Sequence, residues 1–200
     1  MKHQEFTFKY HKTDFFGQYW QPEKTKSVVV LIHGMGEHSG RYQHVAEELI
    51  ANDFGVIAFD HFGHGKTSGK RGHNPNYEAV LESVSKLTEK AKEVFGNKPM
   101  FLYGHSMGGN VVINYTFKKN NSFKGVIATS PMLKLAFQPP TWKLSLGKLM
   151  QKIAPSITLP SELDASGISR IQAEVDKYVN DYLVHDKISP NFSILFFDAA

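Results

Sequence analysis

The chain contains no cysteine. That absence excludes disulfides, thiolate metal sites and a cysteine nucleophile, and it fits a reducing, cytoplasmic compartment. Long apolar runs are also scarce. The longest strongly apolar stretch, Val28 to Ile32, is far too short to span a bilayer. The opening Met1-Lys2-His3-Gln4-Glu5 is polar, and no apolar stretch of signal-peptide type follows it. Strong charge of one sign is missing as well. The formal net charge of +4 is spread along the chain, with no basic stripe of the kind that tracks nucleic acid, so nucleic acid is not expected as a partner. What remains is 200 residues of ordinary globular composition, enough for one domain with a real core.

One stretch carries chemistry. Met100 to Tyr103 is a short apolar run that reads as a buried strand, and Asn110 to Lys119 reads as a helix. Between them, Gly104-His105-Ser106-Met107-Gly108 fits G-x-S-x-G, the nucleophile elbow. The spacing has a physical reason. Ser106 must stand on a sharp strand-to-helix turn so that its hydroxyl projects from the sheet. The flanking glycines let strand and helix pass closely at the bend, and the helix then aims its free N–H groups where negative charge develops. A Gly/Ser turn with no chemistry is the plainer alternative, but the context on both sides favours the elbow.

The rest of the chain supplies a frame for that turn. Glu5 to Tyr10 and Phe15 to Gln21 read as two strands around a turn at Lys12-Thr13-Asp14. Ser27 to Ile32, Gly55 to Phe59 and Gly125 to Thr129 read as buried parallel strands. Apolar spacing predicts helices over about Tyr42 to Asn52 and Tyr77 to Phe95, the latter closed by Gly96-Asn97. Alternating strands and helices predict a mostly parallel α/β sheet covered on both faces. From Ser130-Pro131 the rhythm stops. Gln138-Pro139-Pro140-Thr141 breaks the chain, Thr141 is a candidate helix cap, and Trp142, Leu146, Leu149, Met150 and Ile153 share one helical face flanked by Lys143, Lys148 and Lys152. Expected are a core over residues 1–130, a helical cap or lid over 131–190, and a return to the core over 191–200.

These motifs resemble a known family. His33-Gly34-Met35-Gly36-Glu37-His38-Ser39-Gly40-Arg41-Tyr42, Asp60-His61-Phe62-Gly63-His64-Gly65 and Gly104-His105-Ser106-Met107-Gly108-Gly109 look like the monoacylglycerol lipase and lysophospholipase branch of the α/β-hydrolases. Their order and spacing match, and Asp181 to Lys187 resembles the end of that family's cap. The resemblance implies Ser106 as nucleophile and the backbone N–H groups of Met35 and Met107 as oxyanion-hole donors. It places residues matching Glu37, Arg41 and Tyr42 near the alcohol end of the pocket. Gly34 and Gly36 would let the backbone approach the developing oxygen. No nucleotide, flavin or metal is implied.

A hydrolase of this fold also needs an acid and a histidine after the serine, in that chain order. Neither is recognisable here. Ile194-Leu195-Phe196-Phe197-Asp198 imitates a strand ending in an acid, but reads better as a helix joining cap to core, and no histidine follows it. His105 adjoins Ser106 but should point away from its hydroxyl on the strand. His33, His61 and His64 read as structural histidines, and Asp60 as a brace for its loop. The expectation is therefore the first part of a longer serine ester hydrolase, weakly active or inactive alone, acting on a single-chain lipid ester such as monoacylglycerol. Lysophospholipase and short-chain or aryl carboxylesterase activity stay open, as does a non-catalytic half-enzyme with a lipid pocket. Leu144, Leu146, Leu149, Met150 and Ile153 could line an acyl tunnel, rest with the lysines on a membrane surface, or simply pack on the core.

Overall fold

β-Branched density sets the centre of the molecule. In the computed structural model, which describes residues 2–119, 122–134, 140–161 and 163–199, Ser27–Ile32 forms β3, flanked on both sides by parallel partners and fully covered on both faces. Before it, β1 (Lys2–Tyr10) and β2 (Thr13–Gln21) pair antiparallel from Lys2↔Gln21 to Tyr10↔Thr13. The hairpin turns on His11 and Lys12, whose φ values of 49° and 60° are the left-handed geometry that a two-residue hairpin loop needs. The turn thus falls one residue earlier than the expected Lys12-Thr13-Asp14.

β4 (Phe54–Phe59), β5 (Met100–His105) and β6 (Gly125–Thr129) complete a six-stranded sheet in the order β1-β2-β4-β3-β5-β6. Only β1 and β2 run antiparallel to their neighbours. One face is covered by α1 (Gln43–Ala51), whose Ala46 packs with Trp20, Val29, Leu31 and Val56. The expected helix start at Tyr42 falls instead within a 3-10 turn over Ser39–Tyr42. The other face is covered by α2 (Tyr77–Phe95) and α3 (Met107–Lys118). Asn76 caps α2 by accepting a hydrogen bond from the Ala79 N–H at 2.7 Å.

After β6 the chain leaves the sheet. α4 (Thr141–Ile153) begins after Pro140, so Thr141 is its first residue rather than its cap. Gln138 and Pro139, part of the expected breaker, lie outside the described residues. A two-stranded ribbon, β7 (Leu159–Pro160) with β8 (Lys187–Ile188), brackets a 3-10 turn at Ala165–Ile168 and α5 (Gln172–Val179). α6 (Pro190–Ala199) then brings the chain back to the core.

Residues 194–198 are therefore helical, as their sequence favours. Phe192 and Phe196 are buried there, and Asn110 and Asn114 donate to the Ala199 carbonyl at 3.3 and 2.9 Å. α4 lies against α6 through Gly147, above Ile194, and through Gln151, which donates to Asn191 at 3.2 Å. That contact turns Leu144, Gly147 and Met150 inward. Trp142, Leu146, Leu149 and Ile153 face outward and are exposed.

Candidate active site

The bend at Ser106 is sharp. Its φ of 53° and ψ of −116° put a non-glycine residue in a sparsely populated region, at the junction of β5 and α3. Neighbouring backbone holds it there. The Ser106 N–H donates to the Thr129 carbonyl at 3.0 Å, and the Ser106 carbonyl accepts from the N–H groups of Met132 and Asn110 at 3.0 and 3.1 Å. A Cβ on Gly104 would sit 2.2 Å from the Gly108 carbonyl oxygen, and one on Gly108 would sit 2.1 Å from that of Ile32. Strand and helix therefore cross at a distance only glycine permits. Met107, next to the serine, is buried in the core and opens α3, whose first N–H groups have no partner inside the helix.

The loop after β3 lies against this bend. A Cβ built on Gly34 would come within 3.3 Å of the Ser106 Cβ and within 2.6 Å of Glu37 Oε1. Glu37 organises that loop. Its Oε1 accepts from the Gly34 N–H at 2.7 Å and from the Tyr42 hydroxyl at 2.6 Å, and its Oε2 lies 3.4 Å from Arg41 Nε. Burial, reinforced by the Glu37 carboxylate, pushes the Tyr42 phenol far above its usual pKa, so it stays a neutral donor. Arg41 stacks on the Tyr178 ring at 4.8 Å, joining the loop to α5.

A cavity of about 600 Å³ opens over Ser106. Gly34, Met35, Glu37, Arg41 and Tyr42 line it with the serine. Tyr103 and His105 join them from β5, and Leu163 to Ser169 and Tyr178 from the segment beyond β6. Leu146 and Leu149, expected as acyl contacts, are not brought to it; they stand on the outer face of α4. Tyr103, Tyr178 and the 163–169 stretch carry no periodicity or motif that marks them in the sequence. His105 is turned toward Thr129, with Nδ1 and Oγ1 2.9 Å apart, while its ring stays at the cavity wall. Among the described residues, no imidazole or carboxylate is hydrogen-bonded to the Ser106 hydroxyl.

Residues 23–200 match the family model Hydrolase_4, described as serine aminopeptidase, S33. The chain belongs to the Hydrolase_4 family. Human monoglyceride lipase is 34% identical over 171 residues, which are 84% of this chain and 56% of that protein. An abhydrolase domain-containing protein of Dictyostelium discoideum is 41% identical over 172 residues, 85% of this chain and 18% of that protein. The crystal structure of Paleococcus ferrophilus monoacylglycerol lipase has a TM-score of 0.83 and 37% identity, covering 92% of this chain and 69% of that one. The chain thus spans little more than half the length of the human relative. The α/β-hydrolase fold and the likeness to monoacylglycerol lipases agree with the motifs read from the sequence.

In this Hydrolase_4 member the histidines around the site are tied into the loops. Asp60 is fully buried and accepts from the Ser39 N–H and hydroxyl at 2.8 and 2.6 Å and from the Lys66 N–H at 2.8 Å, bracing two loops at once. His38 accepts from the Gly40 N–H at Nδ1, which leaves its Nε2 proton for Asp181, 2.8 Å away. His185 donates from Nε2 to the Gly63 carbonyl at 2.9 Å, and its own N–H donates to the Gly36 carbonyl at 2.9 Å. The Asp181 to Lys187 stretch is thereby docked on both Gly-rich loops. Burial pushes the His185 imidazole down to about 4, opposed only in part by its hydrogen bond to Gly63. His33, His61 and His64 are likewise shifted down by burial and are neutral at physiological pH. His61 is packed between His33 and Phe59, and neither of its buried ring nitrogens has a hydrogen-bond partner among the described residues.

Proposed function

We propose that the protein is a serine ester hydrolase that cleaves a single-chain lipid ester, monoacylglycerol, through an acyl-enzyme on Ser106. The observation that carries this reading is the strained Ser106 bend, set at the floor of a cavity and against the loop that holds Met35. Ser106 Oγ attacks the ester carbonyl. The Met35 and Met107 N–H groups receive the tetrahedral oxygen, each worth about 3–4 kcal/mol of barrier. A histidine takes the serine proton, passes it to the leaving glycerol oxygen, and later activates the water that frees the fatty acid. Among the described residues no histidine is hydrogen-bonded to the Ser106 hydroxyl, so we name no residue as the base or as its carboxylate partner. In this reading Glu37, Arg41 and Tyr42, on the cavity wall, meet the polar alcohol end of the substrate.

The segment from Pro140 to Ser189 acts as the cap in this reading, with Leu163 to Ser169 and Tyr178 roofing the cavity. Leu146, Leu149 and Ile153 on the outer face of α4, flanked by Lys148 and Lys152, give it a surface for peripheral contact with an anionic membrane. No helix among the described residues is long and apolar enough to cross a membrane.

The lipid substrate draws on the monoacylglycerol lipase names of the relatives, and lysophospholipids or short-chain esters are the competing substrates. A chain-length series of monoacylglycerols, lysophospholipids and p-nitrophenyl esters separates them. Preference for acetyl esters over long-chain monoacylglycerols would sink the lipid assignment. A second reading, a lipid-holding half-enzyme, is favoured by the Ser106 hydroxyl having no imidazole hydrogen-bonded to it among the described residues. Intact mass after fluorophosphonate treatment distinguishes the two for residues 1–200. One adduct, lost in Ser106→Ala, means a base reaches the serine. No adduct refutes the hydrolase reading and supports the half-enzyme.

A further inference from the structure

We propose that His33 is a positioning residue for the oxyanion hole: its imidazole, held as one tautomer, fixes the Gly34–Met35 peptide so that the Met35 N–H faces Ser106. The role exists only if Ser106 is the acylated residue, as proposed above.

The tautomer follows from the two ring contacts. His33 is fully buried. Its Nε2 lies 2.9 Å from the backbone N of His61. A backbone N–H can only donate, so Nε2 is the bare, accepting nitrogen. Its Nδ1 lies 2.7 Å from the Gly34 carbonyl oxygen, which can only accept. The single proton of a neutral imidazole therefore sits on Nδ1 and is donated to Gly34.

That carbonyl belongs to the same planar unit as the Met35 N–H. In a trans peptide the C=O and N–H point in opposite directions, so a bond to the Gly34 oxygen sets the direction of the Met35 N–H. The peptide before it, and the second one after it, are held by different groups. Glu37 accepts from the Gly34 N–H of the His33–Gly34 peptide at 2.7 Å, and the His185 N–H donates to the carbonyl of the Gly36–Glu37 peptide at 2.9 Å. The central peptide has His33. It needs such a brace because Gly34, without a Cβ, places little steric barrier against rotation of its own ψ. Rotation would swing the donor away from the cavity and leave an oxygen in its place.

The test uses the intact protein with a soluble ester. His33→Leu is expected to lower kcat about 100-fold with KM within about twofold, because the lost donor acts only on the transition state. His33→Asn carries an amide nitrogen near the Nδ1 position and is expected to recover at least about tenfold over His33→Leu. His33→Gln carries its amide at the Nε2 position and is expected not to. A merely structural role would instead rank the variants by stability, with the smallest side chain worst. A His33→Leu kcat within about threefold of the parent, or equal rates for the Asn and Gln variants, would overturn the proposal. Should the variants fail to fold, the 15N spectrum of the parent still decides: protonated Nδ1 with bare Nε2 supports the role, and the reverse tautomer or an imidazolium overturns it. A parent with no turnover and no fluorophosphonate adduct would refute the hydrolase reading itself, and the role with it, whatever the tautomer.

Discussion

Val28, Val30, Leu31 and Ile32 of β3 are at 0% exposure, whereas Trp142, Leu146, Leu149 and Ile153 of α4 stand at 62%, 49%, 54% and 68%. Both segments carry large apolar side chains, yet one is sealed and the other lies open. The difference is one of neighbours. β3 has hydrogen-bonded strands on both edges and helices on both faces, so every side chain has something to meet. α4 is amphipathic and packs along one flank on α6. A periodic apolar pattern says that a face exists. It does not say what covers it, and on α4 the exposed face is the one we propose for membrane contact.

The contrast predicts where substitutions will hurt. Gly108→Ala is the harshest. Its methyl would meet the Ile32 carbonyl oxygen at 2.1 Å, inside the sealed half. A loss of about 3 kcal/mol is expected in urea unfolding, together with loss of any Ser106 labelling. An unchanged midpoint would show that β3 and α3 are not pressed together at the elbow.

Acid should act next, also through the sealed half. His33, His61, His64 and His185 are neutral in the fold, and each accepts a proton more readily once exposed, near pH 6.5. Unfolding therefore takes up protons between about pH 6.5 and the lowered folded values, about 4 for His185. Stability rises with pH through that window and levels off above it. Urea midpoints at pH 5 and pH 7.5 check this, and His185→Gln, which keeps a donor for Gly63, should flatten part of the difference. A midpoint that is flat or falls from pH 5 to 7.5 would contradict the neutral, buried cluster.

The mildest effect on folding belongs to the open half. Leu146→Asp with Leu149→Asp should change stability by no more than about 0.5 kcal/mol each, as exposed substitutions do. Binding to phosphatidylglycerol vesicles should fall by about tenfold or more, since each leucine loses its apolar contact with the lipid. Equal vesicle binding would remove the membrane role; a large stability loss would mean that this face is covered after all.

Much of the sheet was legible in the residues. β-Branched runs marked β3, β4 and β6, and the Gly-x-Ser-x-Gly spacing marked the bend, because those features reflect local backbone demands. Boundaries moved by one to four residues where capping decides them, as at Ser39–Tyr42 and at Pro140. The cavity lining was legible where a motif carried it, at Gly34, Met35, Glu37, Arg41, Tyr42 and Ser106. It was not legible at Tyr103 or Tyr178, which reach the cavity only because distant segments converge there. Leu146 and Leu149 do not line that cavity: α4 rolls its Leu144–Gly147–Met150 flank onto α6, and no local pattern encodes that roll.

The amino-acid sequence alone determined the parallel α/β order, the serine at its elbow and the glycines that let backbone touch backbone, since each answers to steric limits within a few residues. Only the tertiary structure decided which imidazole nitrogens carry protons, how Glu37 and His33 divide the peptides of the loop after β3, and which flank of α4 meets solvent. Those outcomes depend on groups as far apart in the chain as His38 and Asp181 or Gly36 and His185. Their contacts exist only once the chain has closed on itself.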